Sequence, residues 1–427
     1  MAIPLKDMPS EAARDVREMP RSVTVPARAR THALFWIAMV LLVCLVTEAA
    51  ARVIEMASPR VLVEAVRPRA EILREQSERI ALLLDSQREG REQLDPRLGW
   101  TYRAGFASPT DHINGQGVRA LQEYARTAAA NTLRVAAFGD SFVYGNEVAD
   151  ADAWCSVLES GTSDLEVLNY GVGGYGLDQA YLRYRREGMA LHPHVVLIGF
   201  TPDDLRRVVN VYRRFVSTQE WPLTKPRFVL QDDGALVLIP NPLATRADYA
   251  RLMAEPASVR ALGAQDQWYD AAIYDNALYD AAATVRVGHA VWRRVHRRWF
   301  DGNRLMRGEL FNERSTAFRL QVAILRAFSD AVRADAAIPV VLMLPNRSSV
   351  EQVLRGSPAE YAPLSDALGR EGIVVWDGMH AFHGISGPVD SLFAPGGHYS
   401  PAGNRAIARW LAGPLDSLRL ARLPHRT

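Results

Sequence analysis

A short apolar run feeds directly into a Gly-Asp-Ser turn in LRVAAFGDSFVYGNE, residues 133–147, and a helix start follows at once. That order confines the segment to a buried strand, a tight turn and a helix. It places the Ser141 hydroxyl at the carboxyl end of the strand, where open α/β sheets carry out their chemistry. Alternation continues through the body of the chain. Strands are predicted at 133–138, 166–168, 195–198, 338–344 and 373–376, with helices near 153–160, 177–190, 315–333, 359–370 and 401–419. Such alternation calls for a parallel sheet covered on both faces.

With 427 residues, 48% of them hydrophobic, the chain can bury one large core or two modest ones. Fifty basic against forty-eight acidic side chains leave it near neutrality, so whole-chain charge points to no nucleic-acid partner. Cys44 lies in the apolar N-terminal run and Cys155 in the body, a separation that gives no reason to expect a disulfide.

Residues 33–46, ALFWIAMVLLVCLV, carry no charge, and the apolar character extends to Ala51 with Glu48 near its end. The run approaches the ~20 residues needed to cross a bilayer. Arg21, Arg28 and Arg30 precede it, which favours a cytoplasmic N-terminus and export of the rest. A cleaved signal peptide and a buried core helix are the alternatives. The long polar leader favours an uncleaved anchor over 33–54, after a disordered tail over 1–32 that contains Pro4, Pro9, Pro20 and Pro26. Ile72, Leu73, Ile80, Leu83 and Leu84 then fall at helical spacing, predicting a stalk helix within 55–94. The remaining body, 95–427, is interrupted over 206–312, where Asp232, Asp233 and Gly234 mark a hairpin before a helical stretch. The basic run VWRRVHRRWF, 291–300, is expected as a solvated helix face with its tryptophans packed inward; a polysaccharide or membrane-surface patch is the other reading.

Four blocks stand in order: GDS at Ser141, VLNYGVGGYGLDQ (167–179), VVLIGFTPDDL (195–205) and GGHYSPAGNRAIA (396–408). Together they resemble the SGNH (GDSL-type) hydrolase family. The resemblance covers the exported body in outline and implies a three-layer, flavodoxin-like α/β fold around a central parallel sheet, preceded here by one transmembrane helix. It implies Ser141 as nucleophile and His398 as the base that activates it. The oxyanion donors it implies are the backbone N–H of Ser141 and that of Gly174, five residues after Asn169. A third donor, an asparagine in the family, corresponds to Asp203. An ionised carboxylate cannot donate, so either burial keeps Asp203 protonated, or Thr201 or Asn346 substitutes, or the hole has two arms. The family's acid three residues before the histidine is replaced by Pro395. Asp390, Asp377 or a backbone carbonyl is then left to orient His398, with Asp390 first as the nearest in the chain.

His192 with His194, and His380 with His383, form short pairs without the additional ligands of a zinc site, and no cofactor is expected. The resemblance implies hydrolysis or transfer of an acyl ester, with acetyl on a cell-surface polysaccharide as the expected group. It further implies a single-pass protein of a bacterial inner membrane with its catalytic domain in the periplasm. The expected partners are an acylated carbohydrate or small ester, the bilayer, and polysaccharide-assembly proteins. A carbohydrate-binding or scaffold protein that has lost turnover is the alternative, motivated by Pro395 and Asp203.

Overall fold

The computed structural model describes residues 27–57, 67–86, 90–162, 164–299, 301–384 and 387–422. Helices α1 (Ala27–Ala57) and α2 (Arg69–Ser86) lead into a five-stranded parallel sheet. Its strands are β1 (Leu133–Gly139), β2 (Leu165–Gly171), β3 (Val195–Phe200), β4 (Ile338–Met343) and β5 (Val375–Asp377), in the order β5-β4-β3-β1-β2. Every residue of β1 and of β3 is buried, the signature of strands covered on both faces, which is why their sequences are apolar rather than alternating, with the one exception of Arg134, whose buried guanidinium pairs with Glu166 at 2.6 Å. The cover comes from helices α3 (Ser141–Tyr144), α4 (Trp154–Ser160), α5 (Leu177–Glu187), α6 (Asp204–Arg207), α8 (Thr316–Ala334) and α9 (Pro401–Arg422), whereas α7 (Ala283–Trp299) packs on α1. Of these, α5 packs on α8 and α4 on α9. Gly139 of β1 lies in register with Gly171 of β2, so the Gly-Asp-Ser turn and the glycine-rich turn leave the sheet side by side.

The predicted stalk is not free-standing. Ile72, Ile80 and Leu83 of α2 are buried in a second core with Trp100, Tyr102 and Tyr175, and with Tyr212, Tyr249, Leu252 and Tyr279 from the interruption at 206–312. An apolar stripe at helical spacing must be covered, and the interrupting segment supplies the cover here. Even Gln76, within the stripe, is satisfied, accepting from the Tyr212 hydroxyl at 3.1 Å.

Thr31–Met56 of α1 is long and apolar enough to cross a membrane, and none of its most apolar window is buried in the protein. The first 26 residues of the expected tail lie outside the described residues, and 27–32 belong to α1. Glu48 is engaged by protein: its carboxylate accepts from the N–H groups of Ala283 and Thr284 at 2.9 and 3.0 Å, capping α7. Arg286 pairs with Glu55 at 2.7 Å. The side of α7 that packs inward is therefore Ala283, Arg286 and Ala290, whereas Trp292 is 60% exposed beside exposed Val291. Inward packing of the tryptophan at 292 is thus corrected: small residues and Arg286 occupy the contact face with α1.

Candidate active site

The turn after β1 is locally determined. Asp140 caps α3 with its carboxylate, which accepts from the Phe142 N–H at 2.9 Å, and Gly145 closes the helix in the left-handed conformation at φ +84°. This one-turn helix holds Ser141 at the sheet edge. Asp140 is itself buried, accepting from the Thr201 hydroxyl at 2.9 Å and from Arg207 Nη1 at 2.7 Å. Its role is to anchor the turn.

His398 Nε2 lies 2.8 Å from Ser141 Oγ. Its Nδ1 lies 2.6 Å from Glu147 Oε2, the far end of the same turn segment. Glu147 also accepts from the backbone N–H of Gly396 at 2.7 Å and of His398 at 3.1 Å. A carboxylate on Nδ1 fixes the tautomer with the proton there and leaves Nε2 as an acceptor for the serine hydroxyl. Burial works against ionisation of Glu147, but the hydrogen bonds from the His398 ring and from the two backbone N–H groups outweigh it and hold the carboxyl below its ordinary range. Glu147 has φ +68°, a left-handed conformation costing roughly 1–3 kcal/mol for a non-glycine residue. Three hydrogen bonds to the histidine loop hold it there.

Neither carboxylate expected for this role meets the histidine. Asp390 is largely exposed and its carboxylate pairs with Arg347. Asp377 accepts from the Tyr361 hydroxyl at 2.8 Å and from the Met379 N–H at 2.9 Å. Proximity in the chain to His398 does not single out Glu147, although that residue closes the very segment that carries Ser141. The signal available was the left-handed cap at Gly145, which turns the chain back two residues before a carboxylate.

In the glycine-rich turn, Asn169 Nδ2 donates to the carbonyls of Val143 and Tyr144, both at 3.0 Å, and its Oδ1 accepts from the Gly171 N–H at 3.0 Å. The asparagine thus ties α3 to the end of β2. Val172 N–H then bonds the Gly139 carbonyl at 3.0 Å, bringing the turn beside the serine. Gly174 sits at φ +75° with its carbonyl held by Arg213. The N–H groups of Ser141 and of Gly174 have no protein acceptor among the described residues. Asp203 differs from the protonated donor considered above. Burial raises its pKa, but Arg207 and Arg206 more than offset this and keep it below the ordinary carboxylate value, so it is an acceptor only. Its carboxylate pairs with Arg206. Thr201 spends its hydroxyl on Asp140, and Asn346 caps the helix Arg347–Leu354 through Oδ1.

A Cβ at position 174 would lie 2.3 Å from Arg213 Nη1 and would load a side chain onto a positive φ. For the oxyanion-donor role that the resemblance implies, Gly174→Ala is therefore expected to shift this N–H and lower kcat on a small acetyl ester by about 10²-fold, within the range for loss of one such donor. KM should change far less, which steady-state kinetics would show.

A parallel sheet with a Gly-Asp-Ser turn after β1, an Asn-tethered glycine turn after β2 and a histidine loop before the last helix is an SGNH-hydrolase fold. No family model and no curated protein matches the chain. Among solved structures it is similar to a G-D-S-L-family protein from Desulfitobacterium hafniense DCB-2, at 14% identity over 66% of this chain and 99% of that one, with a TM-score of 0.33. It is also similar to a GDSL-like lipase from Bacteroides thetaiotaomicron VPI-5482, at 10% identity over 67% and 88% with a TM-score of 0.31. A third is a two-domain esterase active on acetylated mannans, at 10% identity over 69% and 52% with a TM-score of 0.29. At these values the residue roles rest on this chain's own geometry.

Proposed function

We propose that the chain is a serine esterase or acyltransferase in which Ser141, His398 and Glu147 act as a triad. The observation that carries this reading is the unbroken relay Ser141 Oγ, His398 Nε2, His398 Nδ1, Glu147 Oε2, with steps of 2.8 and 2.6 Å across the ring. Ser141 Oγ attacks the ester carbonyl while Nε2 takes its proton, and the carbonyl oxygen becomes an oxyanion facing the N–H groups of Ser141 and Gly174. Collapse re-forms the carbonyl and breaks the C–O bond to the alcohol, which leaves with the proton from Nε2. Water or a sugar hydroxyl then attacks the acyl-serine, giving its proton to the histidine, and Ser141 is regenerated. Glu147 stabilises the imidazolium in both halves without taking the proton.

We assign Thr31–Met56 as an uncleaved anchor, with the arginines before it inside the cell and the catalytic domain outside. Incubation of the purified full chain with a fluorophosphonate is expected to give one covalent label, at Ser141, and to block release of 4-nitrophenol from 4-nitrophenyl acetate. A folded chain that neither labels nor turns over would overturn the assignment in favour of a binding protein.

A further inference from the structure

The triad uses none of the cations clustered behind the glycine-rich turn. A cavity of about 390 Å³ opens against Gly174 and is walled by six charged side chains, Arg206, Arg207, Arg213, Lys225, Asp203 and Glu220. Arg206 pairs with Asp203, and Arg213 with Glu220. The carboxylates that balance the other two cations lie behind the wall: Asp140 on Arg207 at 2.7 Å and Asp178 on Lys225, both buried. Four cations therefore face the space against two carboxylates. Asp203 also lies 3.8 Å from Arg207 Nη2 and buried Asp204 3.9 Å from its Nη1, but the hydrogen-bonding capacity of the cations is not all spent internally. Arg207 bonds protein acceptors only through Nη1, to Asp140 and the Tyr175 carbonyl, and Arg206 only through Nη2, to Asp203. That leaves Nε and the other Nη of each guanidinium without a protein acceptor among the described residues. Burial lowers the pKa of Arg213, Glu220 opposes this and the neighbouring Arg207 adds to it.

We infer that this cavity binds an anionic substituent, a carboxylate or phosphate, carried by the sugar whose ester reaches Ser141. Planar N–H pairs on Arg206 and Arg207 fit the two oxygens of such a group. Gly174 joins the two sites: its N–H faces the reacting carbonyl in the proposed mechanism, and it lines the cavity, its carbonyl held by Arg213 of the same wall. A substrate whose ester carbonyl sits at the turn then extends its sugar toward the guanidinium groups. This deepens the esterase reading and rests on it only for the position of the ester.

The test is inhibition of 4-nitrophenyl acetate turnover, and direct calorimetric binding, by trigalacturonate, mannose 6-phosphate and neutral mannotriose. Either anion is expected to bind at least tenfold more tightly than mannotriose, and whichever is tighter assigns carboxylate or phosphate. Arg206→Gln is expected to weaken binding of that anion about tenfold, as is raising the salt from low to molar concentration. Equal binding of neutral and acidic sugars, or an Arg206→Gln variant that binds the anion as wild type does, would overturn the proposal. Calorimetry reads the cavity without turnover, so absence of hydrolysis would count against Ser141 and His398 alone.

Discussion

Alanine at Ser141 or at His398 is expected to lower kcat on 4-nitrophenyl acetate by roughly 10⁴–10⁶-fold, and the double variant to be no worse than either single one. In the proposed mechanism the serine oxygen forms the acyl bond, and Nε2 at 2.8 Å is the ring nitrogen facing it, the other being committed to Glu147. Removing either ends the same step, hence the non-additivity. Folding should survive both changes. Ser141→Ala deletes one hydroxyl and one hydrogen bond, a stability effect of about 1 kcal/mol, and the turn is held independently by Asp140 and Gly145. Thermal unfolding beside single-turnover kinetics checks both halves of the expectation. Variants that unfold at the wild-type temperature yet retain more than about a hundredth of wild-type kcat would remove the nucleophile and base from these positions.

Glu147→Gln is expected to lower kcat by about 10²–10³-fold with KM changed less than about threefold, while Asp390→Asn stays within about twofold of wild type. An amide beside Nδ1 can present its N–H₂ to the ring, favouring the tautomer with the proton on Nε2, which cannot accept from serine. The loss should fall short of the ~10⁴ seen for a deeply buried acid of this kind, because the Glu147 side chain is 28% exposed and water can take over part of its role. A purely structural tie through the Gly396 N–H would be expected to alter KM and stability rather than kcat alone. Steady-state constants for the two variants, measured together, separate the acid that lies near His398 in the chain from the acid that touches it. Equal effects at both positions would contradict the triad proposed above.

Much of the fold is legible in the sequence alone. The strands at 133–138, 195–198 and 338–344 are visible because a strand buried on both faces is apolar along nearly all its length, Arg134 being the exception, and composition records that directly. The Asn169 to Gly174 spacing is legible only through the family resemblance, and the structure places both residues at the one turn after β2. The stripe Ile72, Ile80, Leu83 announced a helix with a covered face but not its cover, since pairing with a second copy and packing on residues 206–312 need the same pattern. At Asp203, burial was the foreseeable influence, yet Arg207 one helical turn away reverses its consequence.

By itself, then, the sequence determined what depends on backbone dihedrals and short-range period: the buried strands, the turn that presents Ser141, the glycine turn at Gly174, and a long apolar helix before them. Only the tertiary structure decided which carboxylate stands on His398. Glu147 meets it across 251 positions, through a left-handed backbone and a loop closed by the Gly396 and His398 N–H groups, while Asp390, eight residues away, is drawn off by Arg347. The reason is physical: a charged group pairs with the partner nearest in space, and closure of distant loops over a sheet edge sets that distance without leaving a periodic trace in the chain.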